Sequence, residues 1–352
     1  MILSGRVQHA ATASRRAGSV RGNHQAVSGP RVYDRGVPDE PPFISYAQNR
    51  EDVVLWRALR EVRAGRYVEV GANHPTTDSV TRAFYDRGWQ GVTVEPVPHF
   101  ADLQRAERPR DHLVQAAVTS TPGAEITLHV VPGTGLSTIV DAVSDRHADA
   151  GIEHVDVTVP TARLDDLLSD VGWSPQDDIH FLLVDVEGAE EDVLRSIDLT
   201  VWRPWVLVVE STAPNSTVST HDAWEPDVLA AGYEFCLFDG LSRFYVAKGH
   251  STQLRPDLSY PACILDRYVP LHLSEAQHEL QELRAQAAHW RAVALTHWAD
   301  AVAESMGHRS GLADEEVESL RSQLVAIQQT LSWRITRPLR GVRRVIDLVQ
   351  RR

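Results

Sequence analysis

Short apolar runs rich in β-branched and aromatic residues alternate with amphipathic helical patterns through the middle of this 352-residue chain, and no other feature limits the fold as much. Strands that alternate with helices predict a parallel, doubly wound α/β sheet. The last two runs flank Asp239-Gly-Leu-Ser242, which predicts an antiparallel hairpin at the sheet edge. The predicted strands are Tyr67–Val70, Val92–Glu95, His112–Val118, Thr127–Val131, Val155–Val159, Phe181–Asp185, Trp205–Glu210, Tyr233–Phe238 and Phe244–Ala247. The predicted helices are Arg50–Leu59, Asp78–Arg87, Phe100–Arg105, Ala162–Leu168 and Ala189–Ile197.

Charge and composition divide the chain further. Residues 1–36 carry +5 and residues 332–352 carry +6, whereas the whole chain carries −13. The acidic body between them argues against nucleic-acid binding. Residues 1–40 are rich in Ser, Gly, Arg and Pro and predict a disordered tail before a globular domain at 41–270. No run approaches the ~18 apolar residues of a membrane span and no secretory signal is visible, so we expect a cytoplasmic protein.

Residues 271–331 show the spacing of a helical coiled coil. Apolar or small residues recur at intervals of three and four, and the pattern resumes after a break between Gly307 and Gly311. This apolar stripe, called here the seam, predicts a homo-oligomer that forms through the coiled coil. The alternative is a helix whose stripe packs on the globular domain of the same chain. Its positions are Ala276, Leu280, Leu283, Ala287, Trp290, Ala294, His297, Ala301, Val317, Leu320, Leu324, Ile327 and Leu331.

Residues 332–352 predict a basic amphipathic helix. Seven arginines oppose an apolar stripe. Helices of this kind bind anionic membrane surfaces, so we expect peripheral association with the inner face of the plasma membrane. Docking on the acidic body is the alternative. The stripe consists of Ile335, Leu339, Val342, Val345, Ile346 and Val349.

The segment Tyr67–Pro75, YVEVGANHP, predicts a strand that ends in a glycine turn at a ligand site. Glu95 ends the next predicted strand 24 residues after Gly71, where a carboxylate can accept both hydrogen bonds of a ribose diol. The Gly-x-Gly-x-x-Gly cradle for a diphosphate is absent. A ligand with a ribose and no diphosphate, such as S-adenosylmethionine, meets both conditions. The alternative is a structural turn with a surface Glu95.

Three further carboxylates follow apolar strands. Asp185 and Glu187 come after one strand, and Glu210 closes the next. Charged groups at such positions are costly unless they are used or paired, so we expect them to converge on the ligand site. Asp185 and Glu187 are candidate general bases, and all three are candidate oxygen ligands of a divalent metal. Helix capping and loop salt bridges are the alternatives.

Four segments together resemble one known family. They are SYAQNREDVVL, YVEVGANHPTTDSVTRAFYDRGWQGVTVEPVPHF, LLVDVEGAEEDVLRSID and WVLVVESTAPNS, in the order expected for FkbM-family S-adenosylmethionine-dependent methyltransferases. The resemblance spans Ser45–Ala247. It implies a Rossmann-like class I methyltransferase fold and methylation of hydroxyl oxygens on sugars or polyketides.

The resemblance also implies roles for individual residues. The first cofactor motif would consist of Glu69, Gly71, Ala72 and Asn73. Glu95 would bind the ribose, and Ala116 and Ala117 would flank the adenine. Gln48 would close over the site, and Asp185 and Glu187 would lie beside the methyl group. Where many members continue with Asp-Gly, this chain has His74-Pro75, so His74 joins the candidate bases. His221 is a candidate to lie over the substrate.

These observations predict methylation of a sugar hydroxyl in cell-surface glycan or glycolipid biosynthesis, at the leaflet where lipid-linked sugars are built. The ending Ser-Trp-Arg-Ile-Thr-Arg-Pro-Leu-Arg resembles those of glycan-assembly enzymes. A nicotinamide-dependent oxidoreductase is one rival. It is disfavoured by the missing glycines and by the absence of a Tyr-x-x-x-Lys pair, since Lys248 is the only lysine. A non-catalytic scaffold in glycan assembly is the other.

Overall fold

The computed structural model describes residues 41–121, 123, 125–131, 137–141, 143–144, 153–214, 216–307 and 314–335. The predicted disordered tail at 1–40 and nearly all of the predicted basic helix lie outside these residues. Two compact units meet in sequence between Pro270 and Leu271.

The first unit contains twelve strands within the described residues. They are β1 Phe43–Ser45, β2 Arg66–Val70, β3 Gln90–Val94, β4 His112–Val114, β5 Ala117–Val118, β6 Glu125–Val130, β7 Val155–Ala162, β8 Phe181–Val184, β9 Val206–Glu210, β10 Tyr233–Phe238, β11 Ser242–Ala247 and β12 Tyr268–Pro270. The α-helices described in this unit are α1 Glu51–Leu59, α2 Arg82–Tyr85, α3 Pro98–Glu107, α4 Leu164–Asp170, α5 Glu190–Arg195, α6 Glu225–Ala230 and α7 Ser251–Leu258.

Seven strands form the main sheet, in the order β10-β11-β9-β8-β2-β3-β4. The strands from β9 to β4 are parallel, whereas β11 is antiparallel to β9 and β10 is antiparallel to β11. The predicted fold class is therefore confirmed: a doubly wound α/β sheet with an antiparallel hairpin at one edge. The chain runs outward from β2 to β4 and then returns to place β8 beside β2, which creates a switch point between these two strands.

Side chains on the central strands alternate between two apolar layers, one on each face of the sheet. Val68, Leu182 and Leu207 pack into one layer. Tyr67 and Phe181 pack into the other, where their rings stack at 5.5 Å. Because both faces are covered, the strands are continuous apolar runs rather than alternating ones.

Many predicted bounds shift by a few residues, and two predictions differ more from the structure. The helix predicted from Asp78 begins only at Arg82, because Asp78 has a left-handed backbone with φ 57°. The strand predicted as His112–Val118 is split into β4 and β5. Together with β6 and β7, β5 forms a separate three-stranded sheet in the order β5-β7-β6. This small sheet packs its apolar side chains with Val97 and Phe100.

The second unit contains the long helix α8 Leu271–Gly307, followed by α9 Asp314–Gln329 and α10 Leu331–Ile335. A C-terminal helical segment is thus present. Several of its apolar side chains are exposed in the single chain, including Leu283 and Trp290. Self-association through this seam stays a prediction. Of the helices in the described part of the chain, none combines the length and apolarity needed to cross a bilayer.

Candidate active site

A cleft of about 380 Å³ opens at the carboxyl ends of β2, β3, β8 and β9, on both sides of the switch point. Pockets of roughly 300–1,000 Å³ are typical of small-molecule sites. Nearly every residue predicted from the sequence to bind the cofactor or take part in catalysis lines this cleft. These residues are Gln48, Glu69, Gly71, Ala72, Asn73, Glu95, Ala116, Ala117, Asp185, Glu187 and Glu210.

The glycine turn after β2 forms one wall. The amides of Gly71 and Ala72 both donate to the carbonyl oxygen of Val94, at 3.0 and 3.1 Å. Gly71 has φ 87°, and a β-carbon placed on it would lie 1.7 Å from the carbonyl oxygen of Asp185. Only glycine combines this backbone conformation with so close an approach. The turn therefore fixes the ends of β2, β3 and β8 against one another.

Gln104 supports the same turn, and sequence reasoning missed it. Its side-chain amide donates to the carbonyl oxygens of Ala72 and Asn73, at 3.2 and 3.0 Å. Asn73 needs this support because its φ of 47° is left-handed, a region that asparagine tolerates better than most residues. A glutamine in the middle of an amphipathic helix gives no sequence pattern that would have identified it.

Glu95 lies at the back of the cleft and is 3% exposed. Its two carboxylate oxygens accept hydrogen bonds from the amides of Asn73 and Val97, both at 2.7 Å. Burial raises the pKa of Glu95 to about 7, and the two backbone bonds oppose that shift. An ionised carboxylate has about four lone-pair sites, so two acceptor positions remain for a ligand's hydroxyl groups.

Glu69 has a different environment from the one the resemblance implies. Its Oε2 accepts a hydrogen bond from Thr81 Oγ1 at 2.6 Å and lies 3.7 Å from the guanidinium of buried Arg108. Burial raises the pKa of Glu69 to about 7, and Arg108 opposes this shift. Glu69 thus lines the floor of the cleft while it holds the end of α3 to the sheet.

Three carboxylates converge on the other side of the cleft. One oxygen from each of Asp185, Glu187 and Glu210 lies within 4.8 Å of the others. Burial raises the pKa of both Asp185 and Glu210, and the charge of Asp185 raises that of Glu210 further. Two neighbouring carboxylates repel each other, so the pair favours the state in which one of them is protonated.

Glu187 is held in an unusual conformation beside that pair. Its φ is 53° and its carbonyl oxygen accepts a 2.9 Å hydrogen bond from Thr138 Oγ1. Burial, reinforced by Asp185 and Glu190, raises the pKa of Glu187 to about 8. Its Oε2 is buried without a hydrogen-bond partner, as is Oε2 of Glu210. Backbone strain and unsatisfied oxygens at one place are typical of a functional site.

The cleft as a whole is strongly acidic. Glu51 of α1 also lines it, and burial together with Asp239 raises the pKa of Glu51 to about 8. No lysine or arginine is found among the described residues that line the cleft. The carboxyl groups that line it are Glu51, Glu69, Asp78, Glu95, Asp185, Glu187 and Glu210.

Two predicted histidines lie elsewhere. His74 is not among the described residues that line the cleft, and its Nδ1 accepts hydrogen bonds from the amides of Thr76 and Thr77. Its ring therefore stabilises the loop after the glycine turn, and its position gives no support to the general-base prediction. His221 also lies outside the cleft lining, where it contacts Ser219 and Glu225.

Sequence reasoning missed the contribution of the small sheet. Ser137, Thr138 and Ile139 follow the β6 strand and line the cleft opposite the glycine turn. Thr138 pairs with His129 through two backbone hydrogen bonds, of 2.9 and 3.1 Å. This pairing is a single bridge between segments of irregular spacing, so no periodic pattern marks it.

Residues 69–235 match the family model of the methyltransferase FkbM domain. The chain contains a methyltransferase domain. The resemblance of the sequence to FkbM methyltransferases is thus confirmed over these residues. No curated protein sequence matches the chain.

Solved structures show a distant likeness. A TehB-like SAM-dependent methyltransferase from Corynebacterium glutamicum is 10% identical with a TM-score of 0.31, over 56% of this chain and 87% of that one. An O-methyltransferase from Bacillus cereus in complex with SAH is 13% identical with a TM-score of 0.31, over 56% and 80%. A putative O-methyltransferase from Klebsiella pneumoniae is 14% identical with a TM-score of 0.30, over 63% and 92%. Values this low carry no conclusion about activity.

Proposed function

We propose that this methyltransferase domain uses S-adenosylmethionine to methylate a hydroxyl oxygen, on a sugar of a cell-surface glycan or glycolipid. The observation that carries the cofactor assignment is the charge of the cleft. Seven carboxyl groups and no basic side chain are found among its described lining residues. Such a surface favours a sulfonium cation and disfavours the diphosphate of a nicotinamide dinucleotide. The rival oxidoreductase is therefore disfavoured by electrostatics as well as by the missing glycines.

The residues present fit the parts of this cofactor. Glu95 offers its remaining lone pairs to a ribose diol from a position fixed by two backbone hydrogen bonds. Ala116, Ala117 and Phe100 provide an apolar wall suited to an adenine ring. The turn at Gly71 lets the backbone approach a ligand closely. Gln48 lies at the cleft and could close over the bound molecule.

When bound, the cofactor supplies an electrophilic methyl group. The chain's own residues must align an acceptor hydroxyl with that group and take its proton. Glu187 is the best placed proton acceptor, because its Oε2 has no hydrogen-bond partner and its pKa is raised to about 8. A base with a pKa near the working pH contributes roughly 10²–10⁴-fold to the rate. Asp185 and Glu210 lie close to Glu187, and the charge of Asp185 helps to raise the pKa of Glu187.

A divalent metal is the alternative to a protein base. Asp185, Glu187 and Glu210 present three oxygens within 4.8 Å of one another, and hard cations prefer such ligands. Exhaustive chelation separates the two mechanisms. We expect turnover to persist after chelation, as a protein base requires. Loss of turnover that Mg²⁺ or Mn²⁺ restores in the wild-type protein, but not in the Glu210→Gln variant, would establish the metal instead.

The acceptor is proposed to be uncharged where it enters the cleft, because a phosphate there would meet several carboxyl groups and no lysine or arginine among the described lining residues. A mass-resolved methylation assay tests this against a panel of bacterial glycans, glycolipids and sugar nucleotides. We expect a gain of 14 mass units, the replacement of a hydrogen by a methyl group, on neutral sugar units. A panel that yields no methylated product, from protein shown to bind the cofactor, would contradict the sugar assignment.

The helical unit and the basic end suggest where the enzyme works. We propose that residues 271–331 associate with a second copy through the apolar seam, several of whose side chains are exposed in the single chain. We further propose that residues 332–352 bind anionic lipid at the cytoplasmic face of the membrane. Both proposals place the methyltransferase domain beside lipid-linked sugars. Sedimentation velocity tests the first, and vesicle flotation tests the second.

A further inference from the structure

Two histidines and an aspartate form a second cluster, on the β6–β7 hairpin and outside the cleft lining. His129 on β6 is paired in register with Asp156 on β7, so both side chains lie on the same face of the hairpin. His154 lies two residues before Asp156 and shares that face. One potential ligand atom from each of the three residues lies within 4.8 Å of the other two.

The distances suit a metal with nitrogen and oxygen ligands. His129 Nδ1 is 2.7 Å from Asp156 Oδ1, and His154 Nε2 is 3.5 Å from the same oxygen. Around tetrahedral Zn²⁺, with bonds of about 2.0–2.2 Å, neighbouring ligand atoms are about 3.4 Å apart. Small rotations of the side chains, chiefly of the exposed Asp156, would give this arrangement. Asp156 is on the solvent side, with 60% of its side chain exposed, which leaves room for water as a fourth ligand.

The carboxylate of Asp141 contacts the ring of His129. His129 Nε2, the nitrogen that points away from Asp156, lies 3.0 Å from Asp141 Oδ1. Metal-bound histidines generally donate their second ring N–H to a carboxylate or carbonyl, which fixes the ring and its tautomer. The cluster thus contains the ligands and also the outer partner that a transition-metal site requires.

The cluster is joined to the cleft through one residue pair. His129 forms two backbone hydrogen bonds with Thr138, and Thr138 lines the cleft and donates its hydroxyl to the carbonyl oxygen of Glu187. Asp141 and Ser144, which contact His129 and His154, lie on the same segment as Thr138. An ion at the cluster would therefore hold the described residues 137–141 and 143–144 against the hairpin.

We propose that His129, His154 and Asp156 bind a divalent transition-metal ion of the Zn²⁺ class, which fastens the cleft-lining segment around Thr138 to the β6–β7 hairpin. The site is distinct from the carboxylate trio at Asp185, Glu187 and Glu210. It has imidazole nitrogens, which suit Zn²⁺, whereas the trio has only oxygens, which suit Mg²⁺. The proposal concerns binding and local order and is independent of the methyl-transfer assignment.

Full-length protein freed of metal by chelation is titrated with Co²⁺, whose visible absorption reports four-coordinate nitrogen and oxygen ligation, and then with competing Zn²⁺. We expect one equivalent to bind. We expect binding to weaken at least 10-fold in His154→Ala and in Asp156→Asn, and to stay unchanged in His112→Ala, a matched change of an exposed histidine on β4. Glu210→Gln should also bind one equivalent, because it alters only the trio.

Because Asp156 is largely exposed, Asp156→Asn should fold normally, and circular dichroism checks this. Unchanged affinity in both cluster variants, loss of binding in Glu210→Gln, or no Co²⁺ binding at all would overturn the site. Hydrogen exchange tests whether the bound ion holds the segment around Thr138 in place. Zn²⁺ should slow exchange of the amides of residues 137–141 at least 10-fold in the wild type and have no effect in Asp156→Asn. Equal exchange with and without Zn²⁺ in the wild type would overturn the fastening.

Discussion

Replacing Gly71 by alanine tests whether the glycine turn is pinned to β8 as the structure shows. Two costs add at this position. A left-handed backbone costs an L-residue about 1–2 kcal/mol, and Gly71 has φ 87°. The new β-carbon would also lie 1.7 Å from the carbonyl oxygen of Asp185, and a backbone group cannot rotate away. Overpacking of this kind costs about 1–3 kcal/mol or more, so the total is about 2–5 kcal/mol.

Gly88 provides a matched control. It has φ 86°, nearly the same as Gly71, but a β-carbon there would meet nothing within 4 Å. Gly88→Ala therefore carries the backbone cost alone, about 1–2 kcal/mol. The smaller entropy of alanine in the unfolded chain affects both variants equally and cancels in the comparison.

The assay is urea unfolding of both variants, combined with calorimetric titration of S-adenosylhomocysteine. We expect Gly71→Ala to lose at least about 1 kcal/mol more stability than Gly88→Ala and to bind the ligand much more weakly. Gly88→Ala should bind it within twofold of the wild type. Equal losses of stability, with ligand binding intact in Gly71→Ala, would refute the close packing of the turn against β8.

Three further predictions test the acidic cleft and the basic end. Glu187→Gln should lower the rate of methyl transfer roughly 10²–10⁴-fold, while the affinity for S-adenosylhomocysteine changes only a few fold. Glu191→Gln on α5 is the control. Near-normal turnover of the Glu187→Gln variant would show that Glu187 is not the base. Burial raises the pKa of Glu51 to about 8 in the folded state, so the folded chain holds this proton more tightly than the unfolded chain does. The free energy of unfolding of the wild type should therefore fall as pH rises from about 4.5 to 8. In urea titrations across this range, Glu51→Gln should flatten the decline and the exposed change Glu61→Gln should not; an unchanged slope in Glu51→Gln would contradict the buried carboxyl. In flotation assays, the full chain should bind anionic vesicles at low salt and dissociate from them as the salt concentration rises, whereas a chain ending at Leu331 should not bind. Failure of the full chain to bind at low salt would refute the membrane proposal.

The sheet and most of the cleft were predictable because buried parallel strands are continuous apolar runs. Such runs mark β2, β8 and β9 plainly, and their ends place Gly71, Asp185 and Glu210 at one edge. The rule that ligands bind at the carboxyl ends of parallel strands then brings these residues together without any knowledge of distances. The raised pKa values of Asp185 and Glu210 were not predictable, since they depend on burial and on the actual separation of the two carboxyl groups.

The parts that were missed depend on tertiary contacts between segments with no periodic pattern. Gln104 holds the glycine turn from α3, and Thr138 reaches Glu187 from a segment joined to β6 by a single bridge. Glu51 is an acidic residue in the first turn of α1, and only the fold shows that it is buried at the cleft. His74 shows how little proximity in sequence says about position, because it follows Gly71 closely and yet its Nδ1 accepts hydrogen bonds from the amides of Thr76 and Thr77.

Calorimetric titration of one preparation with S-adenosylhomocysteine and with NAD tests whether the acidic cleft binds S-adenosylmethionine rather than a dinucleotide. We expect one equivalent of S-adenosylhomocysteine to bind and NAD to give no heat. Glu95→Ala should weaken the first interaction by about 1.5–3 kcal/mol, the scale of hydrogen bonds to a charged group. Tight binding of NAD with no response to S-adenosylhomocysteine would contradict the assignment of S-adenosylmethionine to the cleft.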